Sequence, residues 1–224
     1  MGETLQTIYH RLMDHYGPQH WWPAEEPFEV MVGAILTQSA AWSNVEKAIA
    51  NLKAAGALSP EPLRQLPLSA LAALIYPSGY YNAKALKLKS LVTWLGERYE
   101  DDLGRLFTME TGSLRRELLA VRGIGEETAD SIILYAADQP VFVVDAYTRR
   151  ILDRMGLAPE AGRYADYQSL FMDSLPRDAG LFNEYHALLV RLGKSVCRRR
   201  PLCLQCCLCG SVCGFSGNSQ EERC

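Results

Sequence analysis

"LLAVRGIGEETAD", residues 118–130, is the stretch on which the reading of the fold turns. An apolar helical pattern runs into two glycines two positions apart, Gly123 and Gly125, and a second helical pattern starts at once. Glycine permits a sharp turn and lets another group approach the main chain closely. The helix that follows opens with backbone N–H groups directed outward, which suits an anion such as a phosphate. Helix, Gly-x-Gly turn, helix is a helix–hairpin–helix, here about residues 113–137, with Ser113 as the expected N-cap of its first helix. A dinucleotide-binding loop needs a preceding strand and a third glycine, and a P-loop needs Gly-Lys-Ser/Thr; the stretch has neither. On this motif alone, a tight corner with no ligand accounts for the residues equally well.

The rest of the chain carries the helical period. Val45, Ala48, Ile49 and Leu52 fall at i, i+3, i+4, i+7, as do Ala129, Ile132, Ile133 and Ala136. Phe28, Met31, Val32, Ile35 and Leu36 make another stripe, and Leu181, Tyr185, Leu188, Leu189 and Leu192 one more. "VFVV" (141–144) alone looks like a strand, and a single run builds no sheet, so an extended connector is expected. The fold class is all-α, with roughly ten helices of ordinary length.

Composition narrows the function classes. The 224 residues can bury a proper core, and no run of 18 apolar residues exists to span a membrane. The N-terminal "MGETLQTIYHRLMDHYG" lacks a signal peptide's apolar centre, which implies a cytoplasmic location. A net charge of −3 argues against a blanket polycation, so a nucleic-acid face would have to be local. All seven cysteines lie between Cys197 and Cys224. A disulfide-stapled secreted protein would spread them, whereas this packing reads as a metal or cluster site.

Three features taken together are more specific than any one. "LLAVRGIGEETAD", then "VVDAYTRRI" (143–151), then the terminal cysteines resemble the helix–hairpin–helix DNA glycosylases of the endonuclease III superfamily. Within it, "WWP" (21–23), "GAILTQSAAW" (33–42) and "YNAKALKL" (81–88) resemble the 3-methyladenine DNA glycosylase branch. The resemblance implies two all-α lobes with a DNA-facing cleft between them. Residues 24–136 would form a six-helix barrel lobe with the hairpin. Residues 1–23 and 137–224 would form the second lobe, with a cluster loop at 197–213.

It also implies a reaction: a damaged nucleotide is flipped out of duplex DNA and its N-glycosidic bond is hydrolysed. The family's essential aspartate falls on Asp145, where a carboxylate stabilises an oxocarbenium-like sugar and orients water. Read without the family, Asp145 is simply a helix N-cap. Bifunctional relatives place an attacking lysine where this chain has Glu127, 18 residues before Asp145. A carboxylate forms no Schiff base, so a monofunctional enzyme without β-lyase activity is expected. Glu126 and Glu127 also suit the first turn of any helix. Alkylated purines carry positive charge, which aromatic faces bind; Trp21, Trp22, Pro23 and Trp42 would wall the base pocket, with Glu127 and Lys194. Each tryptophan could equally be core, and Lys194 a solvated residue near a helix end.

Gln38 would fill the gap left by the flipped base, with Ser39 as the competitor in register. Gly123, Gly125 and Arg122 would grip phosphates, through a bound monovalent cation as in relatives. Further phosphate contacts would come from Lys84, Lys87 and Lys89, from Arg149, Arg150 and Arg154, or from Arg198, Arg199 and Arg200; Lys84 and Lys87 read also as a solvated face, and the arginines beside Asp145 and in the cluster loop have the better claim. Cys197, Cys203, Cys206 and Cys213 give x5, x2, x6, against x6, x2, x5 in the family's [4Fe–4S] enzymes, at the same span of 16. Cys207 in place of Cys206 gives x3, x5, and a four-thiolate zinc site is the rival. Cys209 and Cys224 look like spares. The expectation is therefore a monomeric, nucleoid-associated bacterial enzyme that excises an alkylated purine such as 3-methyladenine from double-stranded DNA. Mispaired adenine, thymine or uracil, or an oxidised pyrimidine, would be other substrates of the same fold. A non-catalytic damaged-DNA-binding module is the reading from a different class.

Overall fold

The computed structural model of the chain describes residues 1–215 and 224, and its regular elements among them are all helices. In order these are α1 (Gly2–Tyr16), α2 (Pro27–Leu36), α3 (Trp42–Ala54), α4 (Pro60–Gln65), α5 (Leu68–Leu74), α6 (Tyr81–Tyr99), α7 (Leu103–Phe107), α8 (Thr111–Leu119), α9 (Glu126–Tyr135), α10 (Ala146–Arg154), α11 (Tyr164–Met172) and α12 (Ala179–Ser195). Two short 3₁₀ turns lie at Tyr76–Ser78 and Cys203–Gln205. "VFVV" is an extended, buried connector. Among the described residues no helix is long and apolar enough to cross a membrane. The chain divides into two compact units, Trp22–Gln139, and Met1–Trp21 with Pro140–Cys224.

The Trp22–Gln139 unit is built around α2, which is buried from Phe28 through Leu36. A helix apolar on every face belongs in a core, and α3, α6 and α9 pack against it. The stripes on α3 and α9 face inward as their period implies, with Val45, Leu52, Ile132 and Ile133 fully buried. The hairpin joins α8 to α9. Its first helix is capped by Glu110, not Ser113: the two Glu110 carboxylate oxygens accept the Gly112 and Ser113 N–H groups at 3.0 Å each. A carboxylate satisfies two of the orphan donors where a hydroxyl satisfies one. Ser113 lies within the first turn and accepts from Arg116 instead. Asp130 on α9 is fully buried, and Arg115 on α8 meets it in a fork at 2.7 and 3.1 Å. That bidentate pair fixes the angle of the hairpin.

The second unit gathers α1, α10, α11 and α12 around an aromatic core. Phe142 of the connector stacks on Phe171 at 3.7 Å and meets Phe182 and Tyr185 edge-on. The Tyr185 hydroxyl donates to the Leu5 carbonyl at 2.9 Å, tying α12 to α1. Helix α10 lies on α12. Tyr147 packs so closely on Gly193 that a Cβ there would come within 2.5 Å of the ring. This contact sets the start of α10, and hence Asp145, over α12.

Candidate functional site

In the second unit Asp145 is the N-cap of α10: its Oδ1 accepts the Thr148 N–H at 2.7 Å. Its side chain is 13% exposed, and Oδ2 lies 3.8 Å from Nε2 of His186, a buried residue of α12. Burial lowers the His186 pKa, the neighbouring Asp145 carboxylate opposes that, and Lys194 adds to the lowering. The imidazole therefore favours its neutral form at neutral pH. Lys194 is exposed and stands 5.9 Å from the Trp21 ring. Asp145, His186, Lys194 and Trp21 thus belong to one unit. His186 was hidden in the sequence because a lone histidine in the apolar stripe of "EYHALL" reads as core.

The hairpin carries the other expected residues. Gly123 has φ 93°, in the left-handed region, and a Cβ on it would run into the Lys87 stem. Gly125 is extended, and a Cβ there would meet nothing within 4 Å. No protein group dictates glycine at 125, which leaves that backbone open to an outside partner. Arg122, Gly123, Gly125, Glu126 and Glu127 are all exposed. Gln38 lies beside this turn. Its Nε2 donates to Thr128 Oγ1 at 2.9 Å and to the Gly123 carbonyl at 3.4 Å, and its Oε1 accepts from the Lys87 ammonium. Ser39 is exposed, with φ 53°.

An aromatic group occupies the same unit. Trp22 meets Trp42 edge-on at 5.2 Å and Tyr135 at 5.3 Å, and all three rings are half-buried. Pro23 is exposed. Trp22 lies against Gly33, where a Cβ would be 2.9 Å from the ring. Tyr135, the last residue of α9, escaped sequence reasoning because an aromatic at a helix end looks like core. Tyr80 is another: 75% exposed, in left-handed backbone at the N-terminus of α6.

Several basic residues stand elsewhere than expected. Lys84 is buried, 2% exposed, and donates to the Leu36 and Ser78 carbonyls at 2.8 and 2.7 Å; burial pulls its pKa down to about 8. Lys89 donates to the carbonyls of Leu63, Arg64 and Leu66. Neither is a phosphate contact or a solvated face; each satisfies carbonyls left over where a helix ends. Arg150 does the same for Gly193 and Cys197, and Arg154 for Arg198 and Arg199. Arg149 donates to the Gly162 carbonyl and lies over the Tyr167 ring at 5.0 Å. Arg198, Arg199 and Arg200 are exposed.

The cysteines surround one hollow lined by Cys197, Cys203, Cys206, Cys213 and Cys224, with Arg154 beside them. Arg154 Nη1 donates to Cys197 Sγ at 3.2 Å. Burial pushes the Cys206 thiol up to about 11 and raises Cys203 as well. Cys207 faces away, toward Arg11, Asp14 and His15. Cys224 also borders the hollow. Among the described residues, no three His, Cys, Asp or Glu side chains converge as a single metal ion requires.

Comparison with known proteins gives the family and the fold. Residues 32–177 match the family described as HhH-GPD superfamily base excision DNA repair protein. The "Putative DNA repair glycosylase MJ1434" of Methanocaldococcus jannaschii is 45% identical over 205 residues, covering 91% of this chain and 93% of that one. Endonuclease III of Sulfolobus acidocaldarius is 26% identical, over 80% of this chain and 78% of its own. Among solved structures, the H. pylori 3-methyladenine DNA glycosylase MagIII bound to 1,N6-ethenoadenine superposes with a TM-score of 0.72 at 28% identity, covering 86% and 95% of the two chains. A non-covalent endonuclease III–DNA complex gives 0.80 at 20% identity, covering 95% of each chain, a likeness of fold.

Proposed function

The chain belongs to the HhH-GPD superfamily of base excision DNA repair proteins, and from that premise we propose which reaction it runs. It is a DNA glycosylase that hydrolyses the bond between sugar and an alkylated purine such as 3-methyladenine, and it does not cut the strand. The observation carrying this reading is Asp145, a half-buried carboxylate with one oxygen fixed by the Thr148 N–H. As the C1′–N bond breaks, its electron pair leaves on the base and positive charge builds on the sugar. Asp145 stabilises that charge, orients the water whose oxygen bonds to C1′ and takes the proton that this water gives up.

The aromatic chemistry of the Trp22 unit supports an alkylated purine as the lesion. Trp22, Trp42 and Tyr135 offer π faces, which suit a cationic purine that already has a weakened glycosidic bond. Lys194 stands 5.9 Å from the Trp21 ring in its own unit and offers a second cation–aromatic pair, and Pro23 follows Trp22 in the chain. Glu127 stands exposed on the first turn of α9 and cannot form the imine that strand cleavage requires. Gln38 fills the gap in the duplex, Arg122, Gly123 and Gly125 hold a phosphate with a monovalent cation, and Arg149, Arg198 and Arg199 add contacts. The enzyme works as a monomer on nucleoid DNA in the cytoplasm.

A [4Fe–4S] cluster would be held by Cys197, Cys203, Cys206 and Cys213. Thiols set around a hollow suit a cluster, which takes one thiolate at each of four irons; a zinc ion would draw all four sulfurs to about 2.3 Å from one point. When bound, the cluster supplies stiffness to the loop carrying Arg198 and Arg199. Iron content and a visible thiolate-to-iron band test it, and stoichiometric zinc would refute it.

The deciding experiment is a panel of duplexes, each with one lesion, scored for base release with and without alkali. Release of the alkylated purine with breaks only after alkali is the expected result. Breaks without alkali would overturn the monofunctional reading, and preferential release of thymine, uracil, mispaired adenine or an oxidised pyrimidine would overturn the lesion. A damaged-DNA-binding module would release nothing, in wild type as in Asp145→Asn.

A further inference from the structure

We propose that Lys87 is a latch between the hairpin and the gap-filling side chain: it holds Gln38 in the free protein and passes its ammonium to a DNA phosphate when duplex binds. The inference rests on the reading of Gln38 given above.

Gln38 is not a loose wedge. Its carbonyl oxygen accepts from Lys87, and its amide donates to the Thr128 hydroxyl and the Gly123 carbonyl. An amide so engaged cannot bond to an orphaned base until some of these bonds are exchanged. Lys87 is the group that can make the exchange. Its stem lies directly on Gly123, the hairpin residue in left-handed conformation, and only a glycine leaves room for it. The ammonium therefore sits beside the turn whose backbone faces outward, and it has three donors, one of which serves Gln38.

A phosphate arriving at the hairpin brings a full negative charge to that ammonium. A charge-assisted bond to phosphate outcompetes one to a neutral amide oxygen. Once Lys87 turns to the phosphate, the Gln38 carbonyl loses its charged holder, and only the two neutral bonds from the amide, to Thr128 and Gly123, remain to be exchanged before the side chain leaves for the base stack. Helix α6 makes the coupling stiff. Lys84, one turn before Lys87, grips the carbonyl of Leu36, two residues before Gln38. The short link between Leu36 and Gln38 is thus held at both ends by neighbouring residues of one helix. Wedge release follows backbone contact.

Binding to undamaged duplex across a salt series tests the phosphate half of the proposal. Lys87→Met keeps the stem on Gly123 and removes the charge; the slope of log K against log salt should fall by about 0.9, the share of one phosphate contact. Lys87→Arg should restore it. The Gln38 side-chain amide resonances read the other half. In wild type they should move when undamaged duplex is added. In Lys87→Met the free protein should already show the released position and move little. Lys87→Gln provides a second uncharged variant if the first is poorly folded. An unchanged slope in the uncharged variants, or wild-type Gln38 resonances indifferent to duplex, would overturn the latch. Neither readout needs a lesion, so the latch can fail while base release stands, and the reverse.

Discussion

Asp145 has two tasks that a substitution can separate. Its Oδ1 caps α10 through the Thr148 N–H, and its charge serves the proposed reaction. Asparagine caps helices about as well as aspartate, so Asp145→Asn should unfold within about 0.5 kcal/mol of wild type while base release falls by about 10²–10⁴-fold. Asp145→Ala should lose the same activity and a further 0.5–2 kcal/mol, roughly, of stability with the cap. Thermal unfolding beside single-turnover release checks both, and wild-type release by Asp145→Asn would remove this carboxylate from the chemistry. Gly33 gives the second case. A Cβ there would sit 2.9 Å from the Trp22 ring, and the ring must move. Gly33→Ala should cost about 1–3 kcal/mol by overpacking. It should also weaken capture of a cationic base several-fold, about 1 kcal/mol of lost cation–π geometry. Single-turnover release against lesion concentration measures that loss, and an unchanged half-saturation would mean the ring does not touch the base. Trp21, Trp22 and Trp42 stand out in the sequence as aromatics in "WWP" and after "LTQ", but the edge-on pairing of Trp22 with Trp42 is a contact across 20 residues that no local pattern gives. Tyr135 does not stand out, since its ring reaches Trp22 only through the folding of α9 onto α2.

At the scale of helices, the turns could be read and the helix ends could not. Gly125 stands one residue before α9 starts and Gly123 four residues after α8 stops, so the glycines mark the turn itself, because backbone strain is local. The cap of α8 went to Glu110 because a fork of two oxygens beats one hydroxyl, a comparison no spacing rule makes. The basic residues were misread for a deeper reason. A helix ends with orphaned carbonyls that attract cations from neighbouring elements, and those neighbours are far away in sequence. Lys84 meets Leu36 from 48 residues off, and Arg154 meets Arg198 from 44. Both look like surface charge until the chain folds. A solvated lysine could be replaced at a cost within about 0.5 kcal/mol. Lys84→Met instead strands the Leu36 and Ser78 carbonyls in the interior, at about 1–3 kcal/mol each. Denaturant unfolding should show a loss of about 2–5 kcal/mol, and a near-neutral result would mean that water replaces the ammonium.

Across the whole molecule, the two units should answer to pH in different windows. His186 belongs to the unit with Asp145, and its pKa is lowered below 6.5 by burial. Below 6.5, until the folded value is passed, the unfolded chain holds more protons than the folded one. Stability therefore rises with pH through that window and is lost on acidification. Lys84 belongs to the hairpin unit, with its pKa pulled from 10.5 to about 8. Between those values the unfolded chain again holds the extra proton, so stability climbs with pH there too. Deprotonation does not undo the structure, because a neutral amine keeps two N–H donors for the two carbonyls it serves. Tyr9, Tyr16, Tyr99, Tyr167 and Tyr185 work the other way. Burial raises each above 10, so the folded chain holds their protons longer and stability falls as pH climbs past 10. Comparison with variants isolates each contribution, because the tyrosines cancel in a difference. The unfolding free energy of wild type minus Lys84→Met should grow between pH 8 and 10. The same difference against His186→Gln should grow as pH rises toward 6.5 and then level off. A difference flat in pH would mean that the side chain in question reaches water in the folded protein, and for Lys84 that would loosen the hold on Leu36 from which the placement of Gln38 follows.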